Sequence, residues 1–340
     1  MRGYKLGAYA SARQKIKNGL LNSIGTIATS AGSYGISISP DGLYVYLSST
    51  YRLLGYSRNT STGVLTSIGT VATASSTSSQ FAQIVFSSDG LQMYVSDFAN
   101  SFIIGYSRNT STGTVTTIGI VSTNSNPFGL IISPDGLNIY TVTQSGYTVD
   151  HFFRNTSTGI LTSNGSVSIG GQSDYLAISP DGSNLYTCNY NNATISQFIV
   201  NTSNGVLRAM IPATIATGGV YSTNICISPD GKNLYITNDV GLSQYSRNTS
   251  TGVLTLIGTI NNLSYNLTLL ISPDGLSIYA ASSSNVITSY TRDTTTGLLT
   301  SIGTITKSDT VQEFGNVISP DGKNAYIVSL GGIIDQYSIK

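Results

Sequence analysis

The chain has 340 residues, 16 Lys and Arg against 15 Asp and Glu, and a net charge of +1, with only 9% of its residues charged where about a quarter is usual. So weak a field excludes a surface built on many phosphate contacts, and with it nucleic acid as a partner. No run approaches the ~18 apolar residues of a membrane span, which excludes membrane insertion by a helix.

Read in chain order, the first element is a basic stretch. Arg2, Lys5, Arg13, Lys15 and Lys17 stand in the first seventeen residues with no acid among them. The stretch lacks the 7–15-residue apolar run of a secretory signal. Residues 1–18 are expected to form an arm that docks the protein on a neighbour in an assembly; the other reading is a frayed terminus. Next comes "GLLNSIGTIA" (19–28), a match for "GVLTSIGTVA" (63–72) further on.

From there two phrases alternate. Ser-Pro-Asp-Gly has its Asp at Asp41, Asp89 (as Ser-Ser-Asp-Gly), Asp135, Asp181, Asp230, Asp274 and Asp321, at spacings of 44 to 49 residues. Five residues after each Asp stands a tyrosine: Tyr46, Tyr94, Tyr140, Tyr186, Tyr235, Tyr279 and Tyr326. The second phrase is "NTSTG" at Asn59, Asn109, Asn155 and Asn248, with variants at Asn201 and Asp293.

One unit parses as four strands, 34–39, 43–49, 53–58 and 64–72, from their alternation and their β-branched and aromatic residues. Pro-Asp-Gly and Asn…Gly supply the tight turns between them. Four antiparallel strands repeated seven times predict an all-β chain: a seven-bladed β-propeller of four-stranded blades. The C-terminus offers only three strands, so residues 19–28 are expected to complete the last blade as its outer strand, closing the ring over 19–340, with that blade built from 314–340 plus 19–28.

"ISPDGLNIYTV" (132–142) and "ISPDGKNLYITND" (227–239) resemble YVTN repeats, and "NTSTGVLTSIGTV" (59–71) is similar to the outer-strand phrase of the lactonase family of seven-bladed propellers. The resemblance spans essentially the whole chain and implies the scaffold. It also implies, for the family's sugar-lactone hydrolases, histidine, glutamate and arginine around the channel mouth. This chain has one histidine, His151, and one glutamate, Glu313.

His151 falls at an ordinary polar strand position and reads as structural. The seven repeat Asp read as caps of their own turns, and Arg58, Arg108, Arg154, Arg247 and Arg292 as structural partners of the second turn. Cys188 and Cys226 occupy positions that other units fill with small buried residues, and they suit neither a disulfide framework nor zinc. No cofactor and no metal site is expected.

Both constant turns must open on one face of the disc, which leaves the other two sets of connections on the opposite, variable face. That face holds Tyr51, Arg52, Asp97, Tyr147, Tyr190 and Asp239, along with Asp174, Asp309 and Glu313. Each unit also has an aromatic where the chain enters the first strand: Tyr34, Phe81, Phe128, Tyr175, Tyr221, Tyr265 and Phe314. These either form a sugar or partner surface at the channel mouth or plug gaps between blades.

The leading expectation is a non-enzymatic structural or interaction propeller, a virus tail or capsid-surface component that recognises a glycan or host receptor through the variable face. Its motive is a low-charge, hydroxyl-rich surface together with no secretion signal, since virion proteins leave by lysis. The alternative is a cytosolic lactonase-like hydrolase acting on a sugar lactone.

Overall fold

The computed structural model describes residues 19–340 except 30–31, 75, 262–265, 308–310 and 330. The chain forms seven four-stranded antiparallel sheets arranged as a propeller. Six blades are contiguous: 33–73, 81–122, 127–168, 173–216, 224–261 and 266–306, numbered 1 to 6. In blade 1 the strands Ser33–Ile38, Tyr44–Ser49, Arg52–Arg58 and Leu65–Thr73 run in sheet order from the axis outward. Inner strands of consecutive blades lie side by side around the whole ring.

Blade 7 is composite. Val311–Ile318, Asn324–Ser329 and Ile333–Ile339 come from the C-terminal end, and Leu21–Ala28 adds the outer strand, pairing Leu21 with Ile339 and Ala28 with Ile333. The ring therefore closes through hydrogen bonds between chain ends, and Leu21 is buried in the core shared with blade 6. Closure satisfies an edge that would otherwise offer unpaired backbone groups to another molecule.

The repeated phrases are turn chemistry. In blade 1, Ser39 Oγ donates to Asp41 Oδ1 at 2.5 Å and the Leu43 amide donates to the same oxygen at 3.0 Å, so the aspartate caps its own turn. In the second turn the amides of Ser61 and Thr62 both donate to Asn59 Oδ1 at 3.0 Å, an Asx arrangement. Its glycine is required twice over in blade 5. Gly252 has φ +79°, and a Cβ there would stand 2.3 Å from the Asn184 side chain, so an L side chain would be both strained and obstructed.

What holds blade to blade is a clasp repeated around the ring. The tyrosine after each Asp is buried, and six of the seven hydroxyls donate to the turn-glycine carbonyl of the following blade at 2.5–2.7 Å. In five interfaces an arginine of that following blade enters beside the tyrosine. Its Nε donates to the hydroxyl at 2.9–3.2 Å and its Nη1 to the carbonyl of its own blade's Pro-Asp-Gly or Ser-Asp-Gly glycine at 2.8–3.2 Å. Nη2 of Arg58, Arg108, Arg247 and Arg292 reaches Asp321, Asp41, Asp181 and Asp230 of the preceding blade. Arg154 turns Nη2 to Gln92 instead.

The arginines are thus structural, as expected, but their partner is chiefly the first turn of the preceding blade. Partial burial disfavours ionisation of Asp41, Asp181, Asp230 and Asp321, yet hydrogen bonds from serine, the turn amide and arginine outweigh it and hold all four below the ordinary carboxylate range.

Candidate active site at the channel mouth

Strand order places the Pro-Asp-Gly and Asn…Gly turns on one face and the variable connections on the other. Among the described residues, the six non-glycine residues with positive φ all lie on the variable face: Thr50, Ser101, Tyr147, Ala193, Tyr221 and Asn285. Five belong to the hairpin between second and third strands. Tyr221 alone sits in a connection between blades, where a bulky residue in this conformation is strained.

The seven mouth aromatics divide. Phe81 is fully buried beside Tyr46 and Val95 in the core between blades 1 and 2. Phe128 is buried and meets Phe98 edge-on at 5.6 Å, and Tyr175 is buried in the core between blades 4 and 5. These three fill the gaps between blades, which corrects their assignment to a binding surface: their rings have no solvent face to offer. Tyr34 is half-buried and Tyr221 exposed. Tyr265 and the side chain of Phe314 lie outside the described residues, as do arm residues Arg2, Lys5, Arg13, Lys15 and Lys17, Asp309 and the Glu313 side chain.

Asp97 is also removed from the binding surface. It is buried, and its carboxylate accepts from the Gln80 amide at 3.1 Å and from Asn100 Nδ2 at 2.9 Å, holding its own loop. Arg52 lies over the Tyr51 ring at 5.0 Å and donates to its hydroxyl at 3.1 Å, while Tyr147 is exposed.

The acid that stands out chemically is one that the sequence placed on the variable face without giving it a binding role. Asp174 opens the inner strand of blade 4, buried, with Gln144 Nε2 donating to Oδ1 at 2.6 Å and Gln172 also hydrogen-bonded to it. Burial raises its carboxyl above the ordinary range, opposed by those two amides. Backbone bonds tie the segment carrying this carboxyl to the half-buried Tyr190 and the exposed Tyr221. The Tyr190 amide donates to Gln172 O at 2.6 Å, the Tyr221 amide to Tyr190 O at 2.8 Å, and the two rings stand 5.1 Å apart. The exposed Asp239 joins through its amide to Val220 O at 3.1 Å. A signal was available in the sequence: the residue before the mouth aromatic is Ser33, Gln80, Pro127, Val220 or Ser264 in five units and an acid only at Asp174 and Glu313.

His151 takes no part in this site. Its Nε2 donates to Asn138 Oδ1 at 2.7 Å and its Nδ1 accepts from Asn164 Nδ2 at 3.1 Å, with the ring stacked on Tyr140 at 4.9 Å. Burial pushes its pKa down to about 4. Cys188 is buried and Cys226 half-buried, both unpaired, with burial pushing both thiols up. Among the described residues no group of three His, Cys, Asp or Glu could hold a metal ion, and no helix is long and apolar enough to cross a membrane.

The profile of the family described as Lactonase, 7-bladed beta-propeller, matches residues 12–174 and 179–312. The fold is similar to that of the periplasmic gluconolactonase of Pseudomonas aeruginosa, with 17% identity, TM-score 0.69, and coverage of 81% of this chain and 85% of that one. It is similar to a candidate 6-phosphogluconolactonase of Bacteroides fragilis, at 21% identity, TM-score 0.69 and coverage of 81% and 84%. It is also similar to a chain of Kuenenia stuttgartiensis hydrazine synthase, at 16% identity, TM-score 0.71 and coverage of 92% and 98%. No curated protein sequence matches significantly.

The profile match and the lactonase neighbours overturn the expectation of a non-enzymatic virion propeller. That expectation rested chiefly on surface composition, which does not bear on the site. By its repeats, its composite seventh blade and this match over most of its length, the chain belongs to the lactonase family of seven-bladed β-propellers.

Proposed function

We propose that the protein hydrolyses sugar lactones at the channel mouth, with Asp174 as general base. The observation that carries the reading is the family match over most of the chain; the buried carboxyl of Asp174, held by Gln144 and Gln172, supports the choice of residue. A base needs a pKa nearer neutrality than a solvated carboxylate has, and burial moves Asp174 in that direction. In its ionised form Asp174 takes a proton from water as the oxygen attacks the lactone carbonyl. Collapse of the tetrahedral adduct breaks the bond to the ring oxygen, and the proton passes to that leaving oxygen, giving the hydroxy acid. Tyr190 and Tyr221 offer ring faces for the sugar.

The test is proton release from gluconolactone and 6-phosphogluconolactone in weak buffer. The intact protein should open at least one faster than buffer, Asp174→Asn should lose the enhancement, and Asp293→Asn, a turn cap on the other face, should keep it. Rates indistinguishable from buffer for both lactones would overturn the reading.

A further inference from the structure

Two blades lack the clasp arginine: Val200 in blade 4 and Ile339 in blade 7 pair with Leu207 and Leu21 as Arg58 pairs with Leu65. The second gap lies between blades 6 and 7. The first lies between blades 3 and 4, on the constant-turn face, where a cavity of about 200 Å³ opens, lined by Asp135, Asn138, Asp181, Gly182, Val200 and Thr202 among others. That volume is far above the ~10–15 Å³ that admits one water.

The acceptors that bind arginine elsewhere remain in place here. Asp135 Oδ1 caps its turn through Ser133 at 2.5 Å and Leu137 N at 2.9 Å. Its Oδ2 corresponds to the oxygen that Asp41, Asp181, Asp230 and Asp321 present to arginine, and it has no partner among the described residues. Tyr140 donates to Gly205 O at 2.7 Å but receives no arginine Nε. Gly182 O corresponds to the carbonyls of Gly42, Gly90, Gly136, Gly231 and Gly275 that accept Nη1. Only the amide oxygen of Asn138 is reassigned, to His151. Asp181, on the opposite wall, is neutralised by Arg247, so Asp135 leaves one uncompensated negative charge.

We propose that this gap binds an alkylguanidinium cation, with Asp135 Oδ2, Tyr140 Oη and Gly182 O as its acceptors. The same three groups hold a guanidinium within this molecule at other interfaces, and a planar fork of donors matches them where a compact ammonium does not. An arginine side chain of a partner and a free small cation share this chemistry.

The test titrates N-ethylguanidinium into the intact protein at constant ionic strength, following melting temperature and the imidazole signals of His151, whose partner Asn138 lines the gap. Saturable stabilisation is expected, with ethylammonium about tenfold weaker and Asp135→Asn weakened by about tenfold or more. Val200→Arg should raise the melting temperature without ligand and abolish the response. A Gly-Arg-Gly peptide that binds more tightly than N-ethylguanidinium identifies a partner side chain; equal or weaker binding identifies a small cation. An identical response from wild type and Asp135→Asn, or none from wild type, overturns the proposal, and neither result depends on whether Val200→Arg folds.

Discussion

Tyr46 of blade 1 donates its hydroxyl to the carbonyl of Gly113 in blade 2 at 2.7 Å, across 67 residues of chain. Tyr326 does the same for Gly63 at 2.6 Å across the ring closure, so one bond type staples both neighbouring and terminal blades. In six of the seven units the tyrosine after the Asp and the glycine of the following blade's Asn…Gly turn are therefore two halves of one contact.

Breaking a clasp should be costly at the arginine and milder at the tyrosine. Arg292→Met removes the arginine's hydrogen bonds to Asp230, Asn233 and the Tyr235 hydroxyl, a loss on the order of 3 kcal/mol. Tyr235→Phe leaves the Gly297 carbonyl unsatisfied at ~1–3 kcal/mol. Urea unfolding would measure both, and an Arg292→Met midpoint equal to wild type would refute the clasp as a source of stability.

His151 should remain neutral far below the usual range. Because it is the only histidine, its proton NMR titration is unambiguous and should show a midpoint near 4. The folded pKa lies below the unfolded 6.5, so the contribution is whole above pH 6.5 and fades as pH falls towards 4, by at most about 3 kcal/mol. His151→Gln should lose this part of the pH dependence; a midpoint near 6.5 would contradict the buried assignment.

A second acid-sensitive window lies lower. Asp41, Asp181, Asp230 and Asp321 have folded pKa values below the ordinary carboxylate, so their contribution is present above ~4 and lost as pH falls through the folded values. The urea midpoint of His151→Gln should hold from pH 7 to about 5 and then decline. A flat profile down to pH 3 would count against the ion pairs.

If Asp174 is the base, its raised pKa places the acid limb of lactone hydrolysis above the ordinary carboxylate value of ~3.9. The rate should fall as pH drops through that limb, because protonation removes the base. A limb at or below ~3.9 would overturn Asp174 as the base.

Removing the closing strand should open the ring. Deletion through residue 28 exposes the edge Ile333–Ile339 and the core against which Leu21 packs, and an unpaired edge is a template for association. Light scattering should detect oligomers of that variant; a monomer with wild-type melting would show the seam to be dispensable.

The blade count, the four strands per unit and both turn chemistries were legible in the sequence, because each depends on neighbours within about fifty residues and recurs from unit to unit; the composite seventh blade was legible because the C-terminal unit is one strand short and residues 19–28 repeat the missing phrase. Repetition lets one unit check another. The direction of the arginines was not legible: Arg108 meets Asp41 67 residues away, and only the stacking of twisted sheets decides that it faces back to the preceding blade. Nor was the division of the mouth aromatics, since Phe81 and Tyr221 occupy one repeat position yet are buried and 45% exposed. The open gap at Val200 was equally hidden, because a valine in a strand pattern reads as an ordinary apolar residue. Local periodicity determines the propeller, whereas burial and charge at the mouth and between blades arise from contacts that exist only once the ring has closed.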